Sequence, residues 1–201
     1  MEHINSYLPS IEDISNSMKR CTQSYSFGTK EECKELFFRA FVGTDGTVKR
    51  FTWLPEYEKV IDWMSDTQGK GLLLSGPCGI GKSAIITGVL PAIFKYRYNK
   101  NLHPVSAIEI NSREKEILSM WSFCLDDIGA ESTFSEYGER KEVFCDIVSE
   151  AENRLKPLFI STNLNGVQIA QRYGNRVRSR INRLCRCIVF DSHTRDFRGD
   201  S

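Results

Sequence analysis

The segment Gly76-Pro77-Cys78-Gly79-Ile80-Gly81-Lys82-Ser83 carries the most specific chemistry in this 201-residue chain. It fits G-x-x-x-x-G-K-[ST] at every position. Glycines let a backbone wrap closely around an anion, and the amides of such a loop and of the helix after it point at phosphate oxygens. Lys82 is then placed to reach the β- and γ-phosphates of a nucleotide, and the Ser83 hydroxyl to ligate magnesium. The pattern requires an apolar strand before it and a helix after it. Leu72-Leu73-Leu74, closed by glycine and proline, reads as that buried strand. A helical stretch is expected from Lys82, kinked or split at Pro91, because a mid-helix proline removes a hydrogen bond.

A magnesium nucleotide also needs a carboxylate at a strand end near the loop. Ser122-Phe123-Cys124-Leu125 reads as a strand running into Asp126 and Asp127. Regular strand alternation assigns Asp126 to the metal side and turns Asp127 to the opposite side, where it could orient a water for attack on the γ-phosphate. Ile160-Ser161-Thr162-Asn163 ends another apolar run in three polar residues. Asn163 is suited either to hydrogen-bond the attacking water or the γ-phosphate, or to cap the next helix. Residues 172 to 186 hold Arg172, Arg176, Arg178, Arg180, Arg183 and Arg186. On one helix Arg172, Arg176 and Arg180 would recur every four residues. Three roles suit this cluster: an arginine finger into an adjacent subunit, contacts to nucleic-acid phosphates, or a solvated basic face.

The elements that must position these residues alternate. A helix is expected over Leu54–Met64, a strand over Val105–Ile110 and an amphipathic helix within Glu136–Leu155. Further strands are expected over Leu158–Ile160 and Cys187–Phe190. Strands alternating with helices imply a parallel sheet covered on both faces. Residues 1–50 are polar, with short apolar pieces, and read as a small appendage. A net charge of +1, from 27 basic and 26 acidic residues, means that any nucleic-acid or membrane partner must use a local patch. The seven cysteines are scattered and odd in number, as in reduced cytosolic proteins, and Cys185-Arg186-Cys187 lacks a zinc-knuckle spacing. There is no apolar run of about 18 residues and no hydrophobic signal core, so a cytoplasmic protein without a membrane partner is expected.

Taken together, GPCGIGKS, FCLDDIGAE, FISTNLN and QRYGNRVRSRI followed by VFDSHTRDFR resemble the DnaC/IstB-like helicase-loader ATPases of the AAA+ class. The resemblance runs from about Phe51 to the C-terminus. It implies an α/β P-loop NTPase with a helix-flanked parallel sheet and no substantial helical lid. Residues 51–201 would form the ATPase domain and residues 1–50 an extension that could bind a partner. It also implies ATP and Mg2+ as cofactors, Asp126 and Asp127 as the Walker B pair and Asn163 as the sensor. Arg180 becomes the first candidate for the finger and Arg176 the second, with Arg195 and Arg198 matching an arginine-containing stretch near the family's end. A replicative helicase, single-stranded DNA and further copies of the chain, assembled with ATP, are the implied partners. Two departures stand out: Asp127 occupies the usual place of a catalytic glutamate, which predicts slow hydrolysis, and nothing before Phe51 maps onto a helicase-binding domain. A transposase-helper ATPase shares every motif. A small-molecule kinase would not need a strand ending in Ser161-Thr162-Asn163, and a non-hydrolysing nucleotide-gated adaptor fits the aspartate at 127.

Overall fold

The computed structural model describes residues 22–44, 51–131, 134–136, 139–141 and 143–190. Five strands form a parallel sheet: β1 (Gly71–Ser75), β2 (Pro104–Ser106), β3 (Phe123–Ile128), β6 (Leu158–Thr162) and β7 (Cys185–Val189), in the order β2-β3-β6-β1-β7. Strands β4 (Phe134–Glu136) and β5 (Glu139–Lys141) pair separately as an antiparallel ribbon. The helices are α1 (Lys30–Thr44), α2 (Pro55–Ser65), α3 (82–98), α4 (Glu114–Ser119), α5 (Val143–Arg154), α6 (Gly166–Tyr173) and α7 (Asn175–Leu184). Among the described residues no helix is long and apolar enough to cross a membrane.

Central strands of a parallel sheet are covered on both faces and therefore read as continuous apolar runs. All five residues of β1 and all five of β6 are buried. Alternation sends Leu72 and Leu74 into one core and Leu73 into the other. The first core is aromatic, packing Trp63, Phe94, Phe159 and Phe190 under α1, α2 and α3. The second is mostly aliphatic, with Phe144, Ile147, Ile169, Val177 and Ile181 from α5, α6 and α7 over Leu125 and Ile160. This is the two-sided α/β sheet that the alternation of elements implied.

Several elements differ from the sequence reading in detail. Helix α3 runs through Pro91 by changing pitch: α-helical Lys82–Ala84 passes into a π-helical turn, Ile85–Val89, before the α-helix resumes over Leu90–Tyr98. Pro91 thereby lies in the first turn of the resumed segment, where a missing N–H costs little. The strand expected over Val105–Ile110 stops at Ser106 and a 3-10 turn, Ala107–Glu109, follows. The helix expected within Glu136–Leu155 spans Val143–Arg154, and Glu136 belongs to the ribbon. Gly174, at φ +90°, separates α6 from α7, so Arg172 is out of phase with Arg176 and Arg180. Finally, the described part of the N-terminal region shares the aromatic core. Cys33, Phe37 and Phe41 recur every four residues along α1 and are buried with Tyr25 and Phe27 in the aromatic layer.

Candidate active site

The phosphate loop leaves β1 at Ser75 and enters α3 at Lys82. Two of its glycines are demanded by the fold itself. A Cβ on Gly76, at φ +147°, would lie 2.7 Å from the Phe190 carbonyl oxygen. One on Gly81, at φ +88°, would lie 2.9 Å from Tyr57 Oη and 3.1 Å from Phe41 Cζ. Tyr57 Oη donates to the Ile80 carbonyl at 3.4 Å, and burial raises the pKa of this phenol, keeping it a donor. Lys82 is buried, and its ammonium donates to the carbonyls of Gly76 (2.8 Å) and Pro77 (2.6 Å) and to Asn163 Oδ1 (3.0 Å). The cation is thus held at the mouth of its own loop and joined to the end of β6.

The acidic strand corrects a simple expectation. Strands β3 and β6 pair in register up to Leu125↔Ile160, and pairing resumes at Ile128↔Thr162, so β3 carries one extra residue. Asp127 takes up the slack in a left-handed conformation, φ +58°. Alternation therefore fails at this position, and the Asp127 side chain is not turned away from the loop end. Asn163 Nδ2 donates to Asp127 Oδ1 at 2.9 Å, which completes a chain Lys82–Asn163–Asp127. Ser161 Oγ donates to Asp126 Oδ1 (2.5 Å) and accepts from the Asp127 amide (2.8 Å), while Thr162 Oγ1 donates to the Ile128 carbonyl (2.5 Å). Each residue of Ser161-Thr162-Asn163 thus binds a different part of residues 126–128. The cap of α6 is Asn165, in a reciprocal capping box with Gln168, and not Asn163.

Among solved structures, the chain is similar to the crystal structure of DnaI, with TM-score 0.50 and 24% identity, covering 61% of this chain and 73% of that one. It is also similar to the crystal structure of the DnaC helicase loader, with TM-score 0.57 and 19% identity, covering 79% of this chain and 99% of that one. The fold is an α/β P-loop fold, a five-stranded parallel sheet flanked by helices. No protein-family model and no curated protein matches the sequence.

In the parallel sheet, β3, β6 and β1 are adjacent, so their carboxyl ends gather the acidic pair, Ser161, Asn163 and the phosphate loop along one edge. Magnesium in nucleotide sites keeps several waters and takes only one or two carboxylates besides substrate phosphates. The Ser83 hydroxyl and Asp126, with Oδ1 held by Ser161, are a donor set of that kind. Among the described residues no cluster of three or more His, Cys, Asp or Glu side chains forms a metal site independent of a nucleotide.

The arginines divide by environment. Arg180 is held inside the chain: Nε pairs with Glu152 Oε2 at 2.7 Å, Nη1 donates to Ser149 Oγ at 2.5 Å, and the side chain is 13% exposed. Arg183 also pairs with Glu152. Arg172 clamps the segment after the acidic strand, donating to the carbonyls of Gly129 (2.5 Å) and Glu131 (2.6 Å). Glu131 accepts in turn from the Gly129 amide (2.7 Å) and from the Tyr173 hydroxyl. Arg176 and Arg178 are exposed and have no ion pair among the described residues. Arg195 and Arg198 lie outside the described residues. Sequence reasoning assigned no role to Ser161 or Glu131. Their signal was the position of each in a polar strand end or just after the acidic pair.

Proposed function

We propose that this chain is a cytoplasmic, ATP-hydrolysing AAA+ protein that loads a replicative helicase onto single-stranded DNA and assembles with further copies of itself when ATP is bound. The observation that carries the reading is the hydrogen-bonded chain Lys82–Asn163–Asp127, which ties the phosphate loop after β1, across the end of β6, to a carboxylate on β3. Lys82 exchanges its loop carbonyls for β- and γ-phosphate oxygens. Asn163, already bonded to both neighbours, senses that exchange. Asp127 accepts a proton from the water that attacks the γ-phosphorus, and the bond to the β-phosphate oxygen breaks to give ADP and phosphate. Ser83 and Asp126 would hold magnesium, whose positive charge would offset the negative charge of the triphosphate. Arg176 is the exposed cation suited to reach the nucleotide of an adjacent subunit, whereas Arg180 would first have to leave Glu152. Arg178 extends the basic surface toward DNA phosphates. The fold likeness to the DnaC helicase loader supports a helicase over a transposase as partner.

Titration of a fluorescent ATP analogue with magnesium tests the core of this reading. Saturable binding is expected, weakened at least about 100-fold by Lys82→Ala, equivalent to roughly 2.7 kcal/mol. A wild-type protein that binds neither ATP nor ADP with magnesium refutes it. Affinity capture in the presence of ATP then identifies the partner: a ring helicase supports the loader assignment, and a transposase replaces it. Single-stranded DNA should stimulate turnover, and its affinity should fall steeply with added salt as counterions are released.

A further inference from the structure

We infer that Ser161 is a positioning residue for ATP hydrolysis, holding the Asp126 carboxylate and the Asp127 backbone amide through a single hydroxyl; the inference rests on the nucleotide reading above. Ser161 is 1% exposed on the central strand β6, and its backbone stays in register with Leu74 of β1. Its one hydroxyl proton goes to Asp126 Oδ1, 2.5 Å away, and its oxygen accepts the Asp127 amide at 2.8 Å. The bulge takes that amide out of the regular β3–β6 ladder, so the serine oxygen replaces a backbone acceptor. A buried N–H left without such a partner is costly.

Two consequences follow for the site. With Oδ1 of Asp126 engaged, Oδ2 is the oxygen presented to a cation. The left-handed backbone at Asp127 is pinned from its amide side, which keeps its carboxylate within 2.9 Å of Asn163. Alanine can neither donate nor accept here, whereas threonine can do both. Ser161 acts through Asp126 and Asp127, so its loss should show in metal use and turnover more than in nucleotide affinity.

The test compares full-length wild type, Ser161→Ala and Ser161→Thr. The readouts are ADP affinity in EDTA, the magnesium concentration for half-maximal turnover, and kcat with KM. For Ser161→Ala, metal-free ADP affinity should stay within about twofold, while kcat falls and the magnesium requirement rises roughly 10–100-fold, as when the hydrogen-bond partner of a metal ligand is removed. Ser161→Thr should recover most of that loss. If Ser161→Ala loses metal-free ADP binding, it has lost the fold, and Ser161→Cys, a near-isostere with a weaker donor, is measured in its place with an intermediate defect expected. A Ser161→Ala (or substitute Ser161→Cys) protein whose kcat and magnesium requirement match wild type overturns the inference alone. A wild-type protein without magnesium-dependent turnover overturns the functional reading and this inference with it.

Discussion

Asparagine and glutamate at position 127 should fail in different ways, because the backbone there is left-handed at φ +58°. Asparagine populates this region as readily as aspartate, and its side-chain oxygen can still accept from Asn163 Nδ2, now at 2.9 Å from Asp127. Asp127→Asn should therefore change stability by less than about 0.5 kcal/mol, which for a chain of this size moves the melting temperature by under about 2 °C. The new amide cannot take a proton from water, and turnover should fall by about 10² to 10⁴. Glutamate carries no local hydrogen bond that eases the left-handed region, so Asp127→Glu should cost about 1 kcal/mol and lower the melting temperature by about 2–4 °C. Its extra methylene also displaces the carboxylate from Asn163. Glutamate is the residue the resembling family carries here, yet on this backbone it should not raise turnover. Thermal melting by circular dichroism, beside steady-state phosphate release at saturating magnesium and ATP, measures both effects. An Asp127→Glu protein that melts no lower and turns over tenfold faster would refute the reasoning, as would full turnover in Asp127→Asn.

Three further outcomes are expected. Gly81→Ala should cost about 1–3 kcal/mol from left-handed strain and crowding against Tyr57 and Phe41, whereas Gly43→Ala, on α1 with nothing within 4 Å, should gain about 0.4–1 kcal/mol; denaturant melts read both. Arg180→Ala should destabilise by about 1.5–3 kcal/mol through loss of the Glu152 and Ser149 bonds, while Arg176→Ala leaves the melt unchanged and lowers only the turnover that depends on assembly. Burial pushes the Cys33 thiol up to about 11 from its ordinary value of 9.0, so between those pH values the unfolded chain loses a proton that the folded chain keeps. Stability should then fall from pH 9 to pH 11, with a shallower slope in Cys33→Ala.

The Gly76–Ser83 loop was legible because the motif and the backbone ask for the same residues: the glycines at 76 and 81 that the motif requires are also required by the packing against Phe190, Tyr57 and Phe41. The strands were legible because burial on both faces leaves a continuous apolar run, as in Leu72-Leu73-Leu74. The bulge at Asp127 was not legible, since its determinant is a serine hydroxyl 34 residues away. Local alternation has no access to that contact. Asn165 was legible as the helix cap, although only Asn163 was read in that role, because Gln168 stands three residues after Asn165 and completes a capping box. The arginine spacing misled because a four-residue recurrence presumes one unbroken helix, and Gly174 ends it. The burial of α1 was written in Cys33, Phe37 and Phe41, but charged residues between them gave the segment the look of a polar tail.

Phe41 on α1 rests against the underside of Gly81, while Phe38 and Val42 on the same helix are each 40% exposed. One turn of helix therefore has its inner side on the Gly76–Ser83 loop and its outer side in solvent. Cutting the chain at Phe51 would remove this floor along with Phe27 and Phe37, each worth about 3–5 kcal/mol when truncated to alanine. Such a fragment would keep every signature residue of a nucleotide enzyme and lose the bed on which its loop lies. A push on the exterior of α1 reaches Gly81 through the Phe41 ring and through Tyr57, against which Phe37 and Phe41 pack.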